Sequence, residues 1–441
     1  MSKNIVIVGA GLAGTVLANE LSKNNNIEIT VLEKGVSQAP ILDDSLYTLD
    51  KSNLRFTRGE GAGGTSNYWH SGLIRMPKDC SWATKILANP GWYQKAIELT
   101  DSFFSESIEQ SKTHIFDEIY YPNQRFRPSL HSSVSLETGV IDLQINPINN
   151  SINYSRSGFE RVINYDILII CAGGIGTPAL LKDKYHTGHF GNPLIGKNLT
   201  DHVNSTPMRV KMKSLRIMKF SKKWSKGITR KGYVYQDPES RLRHIIYIRP
   251  ALSTNLKQHS QKFRKLLVGF WSESNKLLAL IKLASSFDIL LEIFANKLPL
   301  PIPTRYLALN VVSEQESLNS NSVAYKNDQL QVQWRFNDFE RKSVIKACHM
   351  FLEQSGLDID DFSIEAEDKI QFTACCHHSG TASFGNDPQY SVVDLNLLMH
   401  DFDDIYICDG SVLPSTAYAN TGLSIIALSL RLADYLGKLR L

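Results

Sequence analysis

Cysteine is scarce in this chain of 441 residues: Cys80, Cys171, Cys348, Cys375, Cys376 and Cys408 are scattered without any Cys-x-x-Cys spacing. That pattern argues against a zinc site or a disulfide framework, so no metal is expected. Long apolar runs are missing too. The most apolar stretch, residues 266–298, is interrupted by Lys276, Lys282, Asp288 and Glu292, which leaves nothing near the ~20 residues a bilayer span needs. It reads as a core-facing helix pair, with contact to a membrane surface the less favoured alternative. Nothing resembling a leader precedes the first apolar run, which starts right after Met1, Ser2, Lys3 and Asn4, and a cytoplasmic protein is expected. The net charge of +4 is small but uneven: residues 209–297 carry twenty Lys and Arg against five Asp and Glu, a local +15 that leaves −11 for the rest. Those basic residues lack a recognisable nucleic-acid-binding module, so nucleic acid is not an expected partner. With 42% hydrophobic residues, the chain can fill the cores of two or more domains.

The most informative stretch is Ile5-Val6-Ile7-Val8-Gly9-Ala10-Gly11-Leu12-Ala13-Gly14, an apolar strand running into Gly-x-Gly-x-x-Gly and a helix. Gly9 permits the tight turn, Gly11 lets a pyrophosphate approach the backbone, and Gly14 lets helix and strand pack closely, so the helix-opening amides around Leu12 and Ala13 can face phosphate. Residues 15–21 continue as a helix and 27–32 as a second strand ending in Glu33, placed where an acid bonds adenosine ribose hydroxyls. Motif, β-α-β order and acid together point to a dinucleotide.

A second glycine-rich loop spans residues 58–72, with Gly61, Gly63, Gly64, Thr65, Asn67 and Trp69 in it. Its successive amides could form an anion nest on the other side of the same cofactor. Residues 80–130 look partly helical, and 134–161 read as short strands with turns at Asn149-Asn150 and Ser157-Gly158. The buried run Tyr165-Asp166-Ile167-Leu168-Ile169-Ile170-Cys171-Ala172-Gly173-Gly174 returns the chain to the nucleotide sheet. From about 207 to 368, strand-like pieces at 244–249, 306–312 and 329–334, with a hairpin around Lys326-Asn327-Asp328, suggest an antiparallel sheet and a separate domain over the cofactor.

At the C-terminal end stand Cys376-His377-His378-Ser379-Gly380-Thr381, then Asp409-Gly410-Ser411, then Ala419-Asn420-Thr421-Gly422. This series resembles the glucose-methanol-choline (GMC) oxidoreductases. The similarity extends to Gly63-Gly64-Thr65-Ser66, to residues 172–181, to Ile195-Gly196-Lys197-Asn198-Leu199-Thr200-Asp201-His202, and to Glu314-Gln315 followed by Val332-Gln333-Trp334. Residues 209–300 match nothing in that pattern.

The resemblance implies an α/β fold: an FAD-binding, Rossmann-like domain (residues 1–78, 155–206 and 390–441) with a substrate domain and connecting elements (79–154 and 207–389) built on an antiparallel sheet flanked by helices. It places the catalytic base at His377 and its partner at Asn420. It puts Gly61, Gly64, Thr65, Asn67, Trp69, Ala172, Gly173, Asp409, Gly410 and Thr421 against the cofactor. Tyr68 falls where some members carry a histidine joined covalently to the flavin, so non-covalent FAD is expected. The implied activity is oxidation of a primary or secondary alcohol, such as a sugar, cyclitol or natural-product intermediate, to a carbonyl. A neutral imidazole suits the proton removal and an asparagine amide can orient the oxygen. The basic middle region favours an anionic or carrier-linked alcohol. A lyase of the same fold and a membrane-surface enzyme acting on a lipid alcohol are the alternatives, and no second nucleotide site is evident.

Overall fold

The computed structural model describes residues 2–37, 39–42, 57–69, 72–77, 80–87, 91–102, 110–111, 114–182, 189–256, 278, 291–292, 294–295, 298–326 and 329–439. Apart from a few isolated positions, the apolar 266–298 stretch lies outside them, and no described helix is long and apolar enough to cross a membrane.

β1 (Lys3–Val8), α1 (Leu12–Leu21) and β2 (Ile27–Glu33) form the β-α-β unit read from the sequence. β1 pairs in parallel with β2 on one side and Ile167–Ile170 on the other. Ile405–Ile407 and Ser135–Thr138 extend the sheet to five strands, all parallel. Runs from distant parts of the chain converge because a parallel sheet covered on both faces needs strands apolar on both faces, and Ile5, Ile7, Val31, Leu168, Ile169, Ile405 and Ile407 are fully buried. α1 packs on β1 and β2 and against the C-terminal helix Gly422–Lys438, which also meets Gly91–Leu99.

The close packing at the first turn depends on missing side chains. Gly9 has φ +106°, and a Cβ there would sit 2.5 Å from the Cys171 carbonyl oxygen; a Cβ on Gly14 would run into the carbonyl oxygen of Gly9. Gly14→Ala is therefore expected to cost about 3 kcal/mol of stability, the upper end of ordinary overpacking. An unchanged denaturant midpoint would contradict this packing.

The second unit is a nine-stranded sheet with antiparallel pairing. Its main path runs Ile359–Ile364, Val203–Lys219, Pro301–Ser313, Arg243–Ala251, Gly227–Gln236, His114–Pro122 and Gln110–Ser111. Strand alternation divides its side chains. One face, with Met208, Val210, Leu307, Leu309 and Ile246, forms a core with Val344, Ala347 and Phe351 of the helix Asp338–Gln354, which a capping box between Asn337 and Glu340 starts. The opposite face brings Ile119 and Tyr121 against Gly72 and Asn420, so it looks toward the nucleotide unit.

Several local readings change. His114–Pro122, in a region read as partly helical, is a strand of the large sheet, although Ser81–Ile86 and Gly91–Leu99 are helices. Its Ile, Phe and Tyr residues have high strand propensity and find pairing partners in Gly227–Gln236. The hairpin expected around Lys326 is present, with Ser322–Lys326 paired to Gln329–Gln333, but it stands apart from the large sheet, and its tip, 327–328, lies outside the described residues. Residues 79–154, grouped above with the substrate unit, give Ser135–Thr138 to the parallel sheet and Val140–Asn146 and Ser151–Arg156 to a three-stranded layer completed by Phe159–Asn164. The turns at Asn150 and Ser157-Gly158 are present, with φ of +48°, +53° and +80°.

Candidate active site

The two glycine-rich loops meet over the end of β1. The Gly63 amide donates to the Ala10 carbonyl at 2.7 Å, and a Cβ on Gly64 would lie 3.1 Å from the Gly11 Cα. Against these crowded glycines, Gly11 and Gly173 stand out: a Cβ on either would meet nothing within 4 Å. Gly11 also opens α1 with no side-chain cap, so the helix N-terminus faces open space with its amide donors and positive dipole end, the arrangement that accepts a diphosphate. This cradle fits the dinucleotide that the sequence predicts.

Two buried carboxylates hold the cradle in shape. Glu33 accepts from Ala10 N at 2.8 Å, Gly35 N at 2.9 Å and Gly61 N at 2.9 Å, tying both loops to the end of β2. A carboxylate has about four acceptor positions, so one direction remains for a ribose hydroxyl. Asp409 accepts from Gly173 N at 2.8 Å, the Thr177 hydroxyl at 2.6 Å and Ser411 N at 2.7 Å. Its side chain thus shapes the turns at Gly173 and Gly410, and burial raises its pKa. Other expected cofactor residues are also engaged: Thr65 Oγ1 accepts from Gly59 N, Asn67 Nδ2 donates to Ala62 O, and the Trp69 indole donates to Phe126 O. The Trp69 ring packs on Gly422 at the start of the C-terminal helix, beside the buried Thr421.

His377 sits on a turn in which Cys376 has φ +62°. That turn is fastened by the fully buried Asp201, whose carboxyl oxygens accept from Cys376 N at 2.9 Å and His377 N at 3.1 Å. Asp201 is itself located by Gln315, whose Oε1 receives Asp201 N at 3.2 Å and the Trp334 indole at 2.6 Å. The His377 ring is partly open, its Nδ1 has no hydrogen-bond partner, and burial lowers its pKa to about 4. His202 lies alongside, ring centroids 4.4 Å apart; burial first and His377 second hold its pKa well below the ordinary value. Burial, then His377 and Arg58, lowers His378 to about 3. All three imidazoles are neutral at neutral pH.

His202 also hydrogen-bonds the Ala419 backbone, which brings the segment carrying Asn420 to the same place. The Asn420 amide donates to Gly72 O at 2.6 Å, and among the described residues its second N–H and its carbonyl oxygen have no other partner. His377 and Asn420, 43 residues apart in sequence, are thus linked through His202. Asp201, His202, Gln315 and Trp334 stand in the ordered motifs of the sequence, yet nothing local in them gives a role; their long-range hydrogen bonds do. The metal-ligating atoms of His202, Cys375 and His377 lie within 4.8 Å of one another. This is a donor set that could hold a soft divalent ion, assembled across a gap that no Cys-x-x-Cys search would find.

Comparison with known proteins bears on the fold and the family signature. The GMC oxidoreductase family model matches residues 320–429, and an NAD(P)-binding Rossmann-like domain model matches residues 7–37. A fructose dehydrogenase large subunit from Gluconobacter japonicus is 37% identical over 70 residues, 16% of this chain and 13% of that protein. An uncharacterized GMC-type oxidoreductase of Mycobacterium tuberculosis is 32% identical over 77 residues, 18% of this chain and 12% of that one. The matched stretches thus span only about an eighth of these relatives. Among solved structures, pyridoxine 4-oxidase from Mesorbium loti superposes with a TM-score of 0.62 at 15% identity, covering 99% of both chains. A formate oxidase from Aspergillus oryzae, in a study of FAD modification, gives 0.55 at 14%, covering 98% of both. The GMC oxidoreductase signature thus falls on the segment that carries His377 and Asn420, and the chain shares its fold with these solved structures over nearly its whole length.

Proposed function

We propose that this protein holds FAD non-covalently and oxidises an alcohol to a carbonyl, with His377 as the base and Asn420 orienting the substrate oxygen. The observation that carries the reading is a neutral imidazole on a half-buried residue whose backbone Asp201 fastens, beside a dinucleotide cradle. Gly11, Leu12 and Ala13 at the head of α1 would hold the diphosphate, Glu33 the ribose, and the turns at Ala172-Gly173 and Gly410 the portion between diphosphate and ring. Bound there, FAD supplies the hydride acceptor.

The protein's own part is proton transfer and orientation. A carbonyl cannot develop on a protonated oxygen, so the hydroxyl proton must leave as the carbon–hydrogen bond breaks, and a neutral His377 ring nitrogen can take it. The uncommitted Asn420 N–H can donate to the same oxygen and fix the carbon's approach. Tyr68 in place of a histidine supports non-covalent attachment. The test is anaerobic mixing of the purified yellow protein with a panel of alcohols. Bleaching at 450 nm supports the reading; colourless protein that refuses added FAD, or flavin untouched by every alcohol, overturns it.

A further inference from the structure

The sheet face that looks toward His377 and Asn420 carries a group of arginines. Arg209 and Arg249 both pair across Ala308, one from each neighbouring strand, so they project on the same face with only a methyl group between them. Arg230, opposite Ile119 on that face, lies over the Tyr121 ring with its guanidinium 5.9 Å from the centroid. The acids nearby are already committed. Glu292 places both oxygens on Arg209 at 2.9 and 3.1 Å. Asp117 accepts from the Tyr418 hydroxyl at 3.0 Å and from Glu118 N, and burial raises its pKa toward the neutral form.

Arg249 is left as the unusual residue. Its guanidinium makes one hydrogen bond among the described residues, to Thr206 Oγ1 at 2.8 Å, and its buried Nε has no partner. Burial and the neighbouring Arg230 lower its pKa to about 10, with Glu292, whose charge it shares with Arg209, opposing the shift, so it stays cationic at neutral pH. A half-buried cation whose inner Nε lacks a partner is costly and is normally paired. Arg230 and Arg249 both act on the Tyr121 hydroxyl, as does Cys375, two residues before His377. The same tyrosine ring touches the space over Gly72 that Asn420 also borders. The cation and the reaction site are separated by about one tyrosine side chain.

We infer that Arg249, with Arg230 beside it, binds an oxoanion of the substrate, making the substrate a small alcohol that carries a carboxylate or phosphate a few bonds from the carbon oxidised. A planar guanidinium with free N–H groups can bind either oxoanion in two-point fashion. The inference deepens the proposed alcohol oxidation and rests on it for the identity of the ligand as substrate.

The test is calorimetric titration of the holoenzyme at low salt with inorganic phosphate and, separately, acetate, in wild type, Arg249→Met and Arg249→Lys, with Lys213→Gln, an exposed partner of Asp358, as control. Saturable one-to-one binding of at least one anion is expected, the tighter of the two naming the oxoanion. It should weaken tenfold or more in Arg249→Met, by less in Arg249→Lys, and stay unchanged in Lys213→Gln. The melting temperature of Arg249→Met should hold or rise, because a charge kept for a ligand is a burden to the empty fold. Binding of neither anion, or undiminished binding in Arg249→Met, overturns the inference; should Arg249→Met fail to fold, undiminished binding in Arg249→Lys does so. Heat of binding does not depend on turnover, so anion binding with no alcohol able to bleach the flavin would sink the oxidation and leave the anion subsite standing.

Discussion

Replacing His377 by glutamine is expected to slow alcohol-driven flavin reduction by about 10²- to 10⁴-fold, the range lost with a positioned general base, while FAD content stays at the wild-type level. Glutamine keeps polarity and approximate size but accepts no proton near neutral pH. The backbone amide of residue 377 would still reach Asp201, so the turn should survive. Stopped-flow reduction under anaerobic conditions gives the rate, and the pH profile gives the assignment. Burial holds His377 near pKa 4, so the wild-type rate should be level from neutral pH to about pH 5 and fall only as the imidazole takes a proton below that. An acid limb centred near 6.5 would mean that the ring is solvated as in a free peptide. A larger loss in His378→Gln than in His377→Gln would move the base to the neighbouring imidazole.

Much of this arrangement is visible in the residues alone, for identifiable reasons. The β-α-β unit is local: Gly9, Gly14 and the apolar run 5–8 specify a turn and a packing distance within a few residues of one another. The buried strand Ile167–Ile170 reads equally well because all four of its residues are branched and apolar. His114–Pro122 is harder, since Asp117 and Glu118 interrupt its pattern and its partner strand lies more than a hundred residues on. The site divides along the same line. His377 and Asn420 can be placed by their motifs, but Asp201 acts 176 residues from His377, and Gln315 acts 114 from Asp201. The basic middle region shows up as net charge. Only the antiparallel register across Ala308 reveals that Arg209 and Arg249 share the face toward the site.

Removing the Asp201 side chain should have a comparable effect on the fold. Asp201→Ala strands the Cys376 and His377 amides, and at ~1–3 kcal/mol for each buried donor left unpaired the expected cost is about 2–6 kcal/mol. Flavin reduction should fall with it, because those two bonds fasten the turn in which Cys376 has φ +62°. Asp201→Asn retains one acceptor and should lose less. It also isolates a pH effect. Burial lifts the Asp201 carboxyl to about 8, above its unfolded value of ~3.9, so the native state binds the extra proton. Its stabilising contribution is full below the unfolded pKa and is lost as pH rises through about 8. His202, His377 and His378 act oppositely: their lowered folded pKa values make stability fall as pH drops below ~6.5. Wild type minus Asp201→Asn cancels the imidazoles. That difference should decline by at most about 1.4 kcal/mol per pH unit up to pH 8 and level off above it. Denaturant unfolding of both proteins from pH 5 to 9 measures it, and a difference independent of pH would mean that Asp201 is ionised throughout, with its backbone amides outweighing its burial.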